Sequence, residues 1–251
     1  MAGVPIFAPN IIACFSGLNV AVASTTTLTV SPGMATALGT DGTYRNYVMP
    51  AATLTISSAR NGANGLDTGT VANSTLYAIY AIGSSTFQEA DAAIMSANLS
   101  APVLPYNYDL YRLIGYQYTD GSAEFVTGQW FGNGAVRTWT YATGVSVLSG
   151  GTSTTFAAVN LVTAVPTAAA TVTYGYLWNP SSAGDAFALR PTGSASTDGI
   201  AIINGEVAAV DSKSIVPALA SGISSGHASL DYLVAASGAL TLLVNSYTIS
   251  L

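Results

Sequence analysis

Short runs of alternating apolar and polar residues recur along most of this chain. A period of two residues is typical of β-strands that bury one face. The runs are rich in Thr, Val, Ile, Tyr and Leu, and Gly, Pro, Asn or Asp separates one run from the next. No long helical period competes, so the pattern predicts an all-β, antiparallel protein. Strands are predicted at 25–30, 52–57, 75–83, 111–119, 123–130, 136–142, 171–178, 199–204, 206–210 and 239–251.

The alternation also predicts how deeply two of these strands are buried. In the run at 75–83, Tyr80 and Ile82 face one way while Tyr77 and Ile79 face the other. Because both faces are apolar, we expect a central strand that is covered on both sides. The C-terminal run predicts a half-buried strand with an apolar and a hydroxyl face. Its two faces are Leu243, Tyr247, Ile249 and Leu251 against Ser246, Thr248 and Ser250.

The local sequence pattern also predicts one turn and leaves one segment ambiguous between helix and strand. Asp120-Gly121 suits a two-residue hairpin turn with positive φ, which would place Tyr118 opposite Ala123 and Tyr116 opposite Phe125. The segment 86–95 opens with Thr-x-x-Glu, a capping-box pattern, and its alanines favour a helix. The pattern alone therefore predicts a short helix over 86–95.

The chain carries very little charge for its size. Only 7% of its residues are Asp, Glu, Lys or Arg, against about 25% in typical soluble domains. We therefore expect much of the surface to be covered in the working state. Six basic residues are spread singly and the net charge is −6, which disfavours nucleic acid as a partner. A single cysteine excludes an intrachain disulfide and a Cys-based metal site, and no cofactor is predicted.

The N-terminal run is apolar but does not resemble a signal or an anchor. It has no basic residues, and Pro5, Pro9 and Asn10 interrupt it short of the ~20 apolar residues that span a bilayer. We predict no membrane insertion and a docking arm over 1–18, followed by a single β-sandwich domain over 19–251 with a weak seam near 132–136. The candidate interface residues of the arm are Pro5, Ile6, Phe7, Ile11, Ile12 and Phe15.

No catalytic constellation emerges. His227 follows Gly-x-Ser-x-Gly at 222–226, but a nucleophile elbow needs a strand-to-helix turn and a His from far along the chain. We interpret this segment as a Ser/Gly loop. The carboxylate pairs Glu89 with Asp91 and Asp120 with Glu124 are weak glycosidase candidates, because Asp120 fits turn chemistry and Glu124 fits the polar side of its hairpin. No metal or catalytic residue is predicted, although a carbonyl-rich calcium site stays open.

Tyrosines cluster between 105 and 125, which holds five of the chain's fourteen. We expect Tyr116 and Tyr118 to pack across strands. For Tyr106 and Tyr108, which flank Asn107 beside Pro105, exposure at an interface and burial are both open. Arg112, alone among aromatics, is expected to pair with a carboxylate or a carbonyl at a subunit seam.

Two segments resemble a group of tailed-bacteriophage virion proteins. "NGLDTGTVANSTLYAIYAIGSS" (64–85) is similar to the group's Gly-Leu-Asp-Thr-Gly stretch, and "AAIMSANLSAPVLPYNYDLYRLIGYQYTDGSAEF" (92–125) is similar to its next block. "GLNVAVASTTTLTVSPGMA" (17–35) resembles the group's opening strand. Matching positions in the second block are Ser96, Pro102, Leu104, Pro105, Tyr108, Tyr111, Arg112, Ile114, Gly115, Thr119, Asp120 and Gly121.

This resemblance implies a jelly-roll-like β-sandwich on the virion surface, in a non-enzymatic head decoration or head fibre protein. It implies a homotrimer whose partners are its own copies and other virion proteins, such as the major capsid protein. It also implies a strand over 90–97 in place of the helix. The alternative is a tail fibre or receptor-binding protein that recognises a host surface glycan through Tyr106, Tyr108 and Asp109. The group has no catalytic motif to transfer.

Overall fold

The computed structural model describes residues 15–48, 53–86, 91–132, 134–183, 185–195, 201–204, 212–220, 222–224, 227–234 and 238–251. Within these ranges the chain forms nineteen β-strands and no helix, which confirms the all-β prediction. Residues 1–14 of the predicted arm and the predicted strand at 206–210 lie outside the described residues. The early strands are β1 (Phe15–Gly17), β2 (Val20–Ser24), β3 (Thr27–Val30), β4 (Gly33–Gly39), β5 (Tyr44–Val48), β6 (Leu54–Ser57), β7 (Leu76–Gly83), β8 (Ala92–Ser96) and β9 (Leu110–Tyr118).

The later strands continue the same architecture. They are β10 (Gly128–Phe131), β11 (Val136–Gly151), β12 (Ala157–Asn160), β13 (Ala169–Asn179), β14 (Ala186–Pro191), β15 (Ala201–Asn204), β16 (Ser212–Ala220), β17 (Gly222–Ser224), β18 (His227–Val234) and β19 (Ala239–Ser250). The strands belong to two compact units. Unit 1 comprises Met1–Val71, Tyr77–Gly115 and Asn133–Ala135, and unit 2 comprises Ala72–Leu76, Tyr116–Gly132 and Val136–Leu251.

Unit 1 is built around the apolar strand β7. Its main sheet has the order β1-β4-β9-β7-β8, and β5 pairs with β4. From Tyr77 onward every residue of β7 is buried, and the strand lies between two sheet neighbours. The predicted central strand covered on both sides is therefore confirmed. β2, β3 and β6 are not part of this sheet; they pair antiparallel with one another in that order, with Leu28 opposite both Val22 and Ile56.

The segment 92–96 is a strand, not part of a helix. β8 pairs antiparallel with β7, and all five of its residues are buried. Its other edge is covered by the preceding loop: Asn64 N donates to Ala93 O at 2.7 Å, and Met95 N donates to Gly65 O at 2.9 Å. A helix would leave these sheet partners without their hydrogen bonds. The helix predicted from the pattern is wrong, and the strand implied by the resemblance is confirmed over Ala92–Ser96.

Unit 2 contains two runs of antiparallel strands. The order β16-β13-β19-β11-β10 forms one, and β12-β18-β14-β15 forms the other, with β17 paired to β18. β19 has partners on both sides, and its alternation breaks at a bulge. Thr173 of β13 pairs with Ser246 of β19, and the next residue, Tyr174, pairs with Val244. Asn245 is therefore one additional residue in β19 at this point. The bulge shifts the buried face, and the predicted burial of Leu243 is wrong because Leu242 and Val244 are buried instead.

The Asp120-Gly121 hairpin is wider than predicted. Asp120 N donates to Glu124 O at 2.9 Å, and Ala123, not Gly121, has the positive φ of 61°. This is a three-residue loop with a bulge. Asp120 Oδ1 stabilises it by accepting hydrogen bonds from Ser122 N and Glu124 N, which confirms its turn role.

The wider loop moves the register of the hairpin. Phe125 lies opposite Thr119, so the predicted pairing of Phe125 with Tyr116 is wrong. Tyr116 and Tyr118 are nevertheless buried, which confirms the predicted packing role. Every residue of β9 from Ile114 to Tyr118 is buried, so the two tyrosines are covered whichever residue lies opposite them.

The core of unit 2 is aromatic. Trp130, Trp139, Tyr141 and Tyr247 form a closed cycle of ring contacts, with centroid distances from 5.4 to 6.2 Å. The Tyr141 hydroxyl donates to Ala164 O at 2.6 Å. All four contacts are tilted or edge-on, an arrangement that aromatic quadrupoles favour, and two of them join neighbouring strands of one sheet.

Candidate functional site on the 97–109 loop

Three large exposed apolar side chains lie on the segment between β8 and β9, which we call the Tyr106 loop (97–109). Leu99 is 37% exposed, Val103 56% and Tyr106 89%. The segment has no regular secondary structure over its whole length. Loops of this length in compact domains are usually functional or disordered. Which of the two applies is decided by how firmly the loop is held.

A tight turn presents Tyr106 at the tip of the loop. Tyr108 N donates to Pro105 O at 3.1 Å, and Asn107 at the third position of the turn has φ of 70°. A positive φ at this position is typical of a type II turn, and Asn tolerates it better than most residues. Pro102 and Pro105 further restrict the backbone. The Tyr106 ring is therefore held out from the turn with little conformational freedom in its backbone.

Asp67 anchors the first half of the loop. Its Oδ2 accepts hydrogen bonds from Ser96 Oγ at 2.6 Å and from Val103 N at 3.0 Å, while its Oδ1 accepts one from Thr68 N at 2.7 Å. Charge-assisted bonds of this kind are among the stronger ones in proteins. The Gly-Leu-Asp-Thr-Gly segment and the block that follows it in sequence thus meet at one carboxylate.

Asp109 fixes the other end of the loop. Ser85 donates to this carboxylate twice, from its backbone N at 2.6 Å and from its hydroxyl. Arg45 Nη1 lies 4.0 Å from Asp109 Oδ2, and the same guanidinium pairs with Asp41 at 2.8 Å. The hydrogen bond from the Thr43 hydroxyl, with further help from the Thr43 amide and Arg45, lowers the pKa of Asp41. The two hydrogen bonds from Ser85 hold the Asp109 carboxylate in place, and Asp109 thereby fixes this end of the loop.

Phe15 and Arg112, two further interface candidates, lie against each other. The Arg112 guanidinium is 5.6 Å from the centroid of the Phe15 ring, which is buried. Desolvation lowers the pKa of Arg112, and the nearby Tyr44 phenol partly opposes this. Among the described residues Arg112 Nε has no hydrogen-bond partner, and the guanidinium contacts a ring. The candidates Pro5, Ile6, Phe7, Ile11 and Ile12 lie outside the described residues.

Among the catalytic candidates that the structure describes, Ser224 and His227 lack the setting of a nucleophile elbow. Ser224 lies directly opposite His227 in the antiparallel pair β17–β18, whereas a nucleophile elbow is a strand-to-helix turn. Glu89 lies outside the described residues, and Glu124 is exposed beside the turn that Asp120 caps. Across the described ranges, no three His, Cys, Asp or Glu side chains are grouped to hold a metal. In the same ranges no helix is long and apolar enough to span a membrane.

Several residues of the site were not identified from sequence. Leu99 and Val103 sit among prolines and small residues, where strand periodicity gives no signal. Asp67 and Ser96 meet only through the pairing of β8 with the 64–67 segment. The one available signal was the pair Pro102 and Pro105, which marks an ordered, non-strand backbone carrying apolar side chains.

Comparison with known proteins adds little to this picture. No protein-family model matches the chain, and no curated protein matches it. Among solved structures, it is similar to the insecticidal delta-endotoxin Cry8Ea1 from Bacillus thuringiensis, with 8% sequence identity and a TM-score of 0.23. That match covers 95% of this chain and 52% of the toxin, so the chain spans about half of its length. A likeness this low supports no conclusion about fold or function.

Proposed function

We propose that this chain is a non-enzymatic structural protein on the surface of a tailed-bacteriophage virion, a capsid decoration or head fibre subunit. In this proposal the Tyr106 loop binds a neighbouring virion subunit such as the major capsid protein. The observation that carries the proposal is the loop itself, which is firmly held at both ends and exposes Leu99, Val103 and Tyr106. The proposal includes a homotrimer and a jelly-roll connection of the antiparallel strands.

Burial of the loop tip would supply the binding energy. Removal of apolar surface from water contributes about 25 cal/mol per Å². Tyr is enriched among the residues that dominate interface energies. Because Asp67 and Asp109 already order the backbone, little entropy is lost when a partner covers the tip. The sparse charge of the chain supports the same reading, since few ions would need to be desolvated.

One observation favours a second candidate, a receptor-binding protein for host glycan. The Tyr106 ring is almost fully exposed, and aromatic faces pack against sugar rings. Against it, the carboxylate expected to bind sugar hydroxyls, Asp109, already accepts two hydrogen bonds from Ser85. Part of the hydrogen-bonding capacity of this carboxylate is therefore already used within the protein.

Antibody labelling of intact virions tests the location. We expect label scattered over the heads of particles produced by the phage that encodes this chain. Label confined to one vertex or to the tail tip would favour the receptor-binding candidate. Purified virions that carry no label, although the antibody recognises the denatured chain in the same lysate, would refute both.

The role of the loop is tested by adding purified chain to virions that lack it and measuring how much binds. We expect Tyr106→Ser with Val103→Ser to weaken co-sedimentation roughly thirtyfold, which corresponds to a hot spot of about 2 kcal/mol. Tyr44→Ser, an exposed tyrosine on β5, is the matched control and should bind as the wild type does. Asp67→Ala should also weaken binding, because it releases Val103 N and Ser96 Oγ. Unchanged binding of the double variant would contradict the role of the loop.

A further inference from the structure

A second surface, on unit 2, has the chemistry of a small-molecule site. A concavity of about 200 Å³ opens on β10 and β11. We call it the Phe131 pocket; it is lined by Thr127, Gly128, Gln129, Phe131, Thr140, Tyr141 and Ala142. The Phe131 ring is 50% exposed. Pockets for drug-sized ligands are larger, at about 300–1,000 Å³, so this one suits a single ring or two.

Strand register gives this face its composition. Gln129 lies opposite Thr140, and Phe131 lies opposite Thr138. Directly opposite residues of an antiparallel pair share a face, so these four side chains point away from the core. Trp130 and Trp139, one residue along on each strand, face the aromatic core instead.

The same face of the sheet continues onto β19, where the residues opposite Thr138 and Thr140 are also uncharged. Thr138 lies opposite Thr248, with their hydroxyl oxygens 2.9 Å apart, and Thr140 lies opposite Ser246. Hydroxyls and an amide both donate and accept hydrogen bonds. The Gln129 side chain is exposed and that of Thr140 is half-buried, so solvent and a ligand can reach both.

These features select one class of ligand. A charged ligand would lose its hydration without gaining a counter-charge, because no Asp, Glu, Lys, Arg or His lines the pocket. A purely apolar ligand would leave the Gln129 amide and the threonine hydroxyls covered without partners. A ligand with several hydroxyls and one apolar ring face satisfies both conditions. From this arrangement we propose that the Phe131 pocket binds a neutral saccharide, with its C–H face on the Phe131 ring and its hydroxyls on Gln129 and Thr140.

This proposal does not depend on the proposed function, and it concerns a different unit from the Tyr106 loop. Its test is a titration of the purified full chain, followed by NMR, with methyl glucoside, methyl galactoside and N-acetylglucosamine as neutral probes. We expect at least one probe to bind in the millimolar range and to shift the amide signals of 127–131 and 140–142. Glucuronate and glucosamine, the charged counterparts, should bind more weakly.

Variants identify the groups involved. Phe131→Ala and Gln129→Ala should each weaken binding of the same probe about tenfold. Val136→Ala removes an exposed side chain that does not line the pocket, and Tyr106→Ser alters the other unit; both should bind as the wild type does. Since Phe131 and Gln129 are exposed, their variants should unfold at the wild-type urea concentration.

Three outcomes would overturn the proposal. The first is that no neutral probe shifts the signals of the pocket. The second is that folded Phe131→Ala binds as tightly as the wild type. The third is that glucuronate or glucosamine binds as tightly as the neutral sugars, which would remove the argument from charge.

Discussion

At the scale of single residues, the Tyr106 loop depends on side chains that satisfy specific backbone groups. Asp67 accepts a hydrogen bond from Val103 N, and Asn107 adopts the positive φ that its turn requires. Gly65 is needed for a different reason: a Cβ at this position would lie 2.2 Å from the Arg60 carbonyl oxygen. Each of these constraints depends on one residue, so a single substitution can test it.

Gly65→Ala should destabilise the chain, because the new methyl group would force apart the segment that covers the edge of β8. We expect the free energy of unfolding to fall by about 1–3 kcal/mol, the usual cost of overpacking. The measurement is urea denaturation. Gly121→Ala is the matched control, since a Cβ there meets nothing within 4 Å and the residue has no positive φ. Equal stabilities for the two variants would contradict the packing argument.

At the scale of elements, the strands of unit 2 are joined by aromatic rings more than by ions. Trp139 on β11 contacts Trp130 on β10, and Tyr141 on β11 contacts Tyr247 on β19. One described ion pair of this unit, Arg190 with Asp231 at 3.1 Å, joins β14 to β18 and stacks on Phe156. The aromatic cycle explains how a chain with so little charge holds its sheets together.

Trp139→Ala should therefore be strongly destabilising, because it opens a cavity at the centre of the cycle. A loss of about 3–5 kcal/mol is expected for a buried Trp. Phe131→Ala on the opposite face of the neighbouring strand removes an exposed ring and should cost much less. The midpoint of urea unfolding, followed by circular dichroism, compares the two. Similar midpoints would show that the cycle contributes little.

At the scale of the whole molecule, the buried groups that ionise are mostly phenols. Burial raises the pKa of Tyr116, Tyr141, Tyr174 and Tyr247. For a group whose pKa is raised by folding, the stabilisation is complete below the unfolded pKa of about 10 and is lost as the pH rises through the folded value. Alkaline conditions should therefore unfold this protein.

We expect the free energy of unfolding to fall above about pH 10 by roughly 1.4 kcal/mol per pH unit for each buried phenol. Burial also lowers the pKa of Arg137 to about 10 and lowers that of Arg112, which acts in the opposite sense, but these are two groups against four. Urea midpoints measured from pH 8 to pH 11 test the expectation. A midpoint that stays constant or rises over this range would contradict it.

Two Tyr→Phe variants separate the phenols. Tyr174 Oη has no hydrogen-bond partner among the described residues, so Tyr174→Phe should keep the wild-type stability at pH 8 and reduce the alkaline loss. Tyr141→Phe also reduces that loss, but it removes the bond to Ala164 O and should cost about 1 kcal/mol at pH 8. Equal stabilities at pH 8 would contradict the assigned role of the Tyr141 hydroxyl.

The sequence by itself determined what depends on near neighbours along the chain. The all-β class, the buried strand β7, the turn role of Asp120 and the burial of Tyr116 and Tyr118 follow from alternation and turn chemistry. These patterns were enough because each is set by residues only a few positions apart.

The tertiary structure alone decided what depends on distant pairing. β8 is a strand because β7 and the 64–67 segment satisfy its backbone, although its local pattern favours a helix. The bulge at Asn245 and the wider hairpin at Asp120 moved registers that alternation cannot specify. The Tyr106 loop arises likewise, because Asp67 binds Val103 N across 36 positions of sequence. The Phe131 pocket depends on the register that places Gln129 opposite Thr140, which no local period encodes.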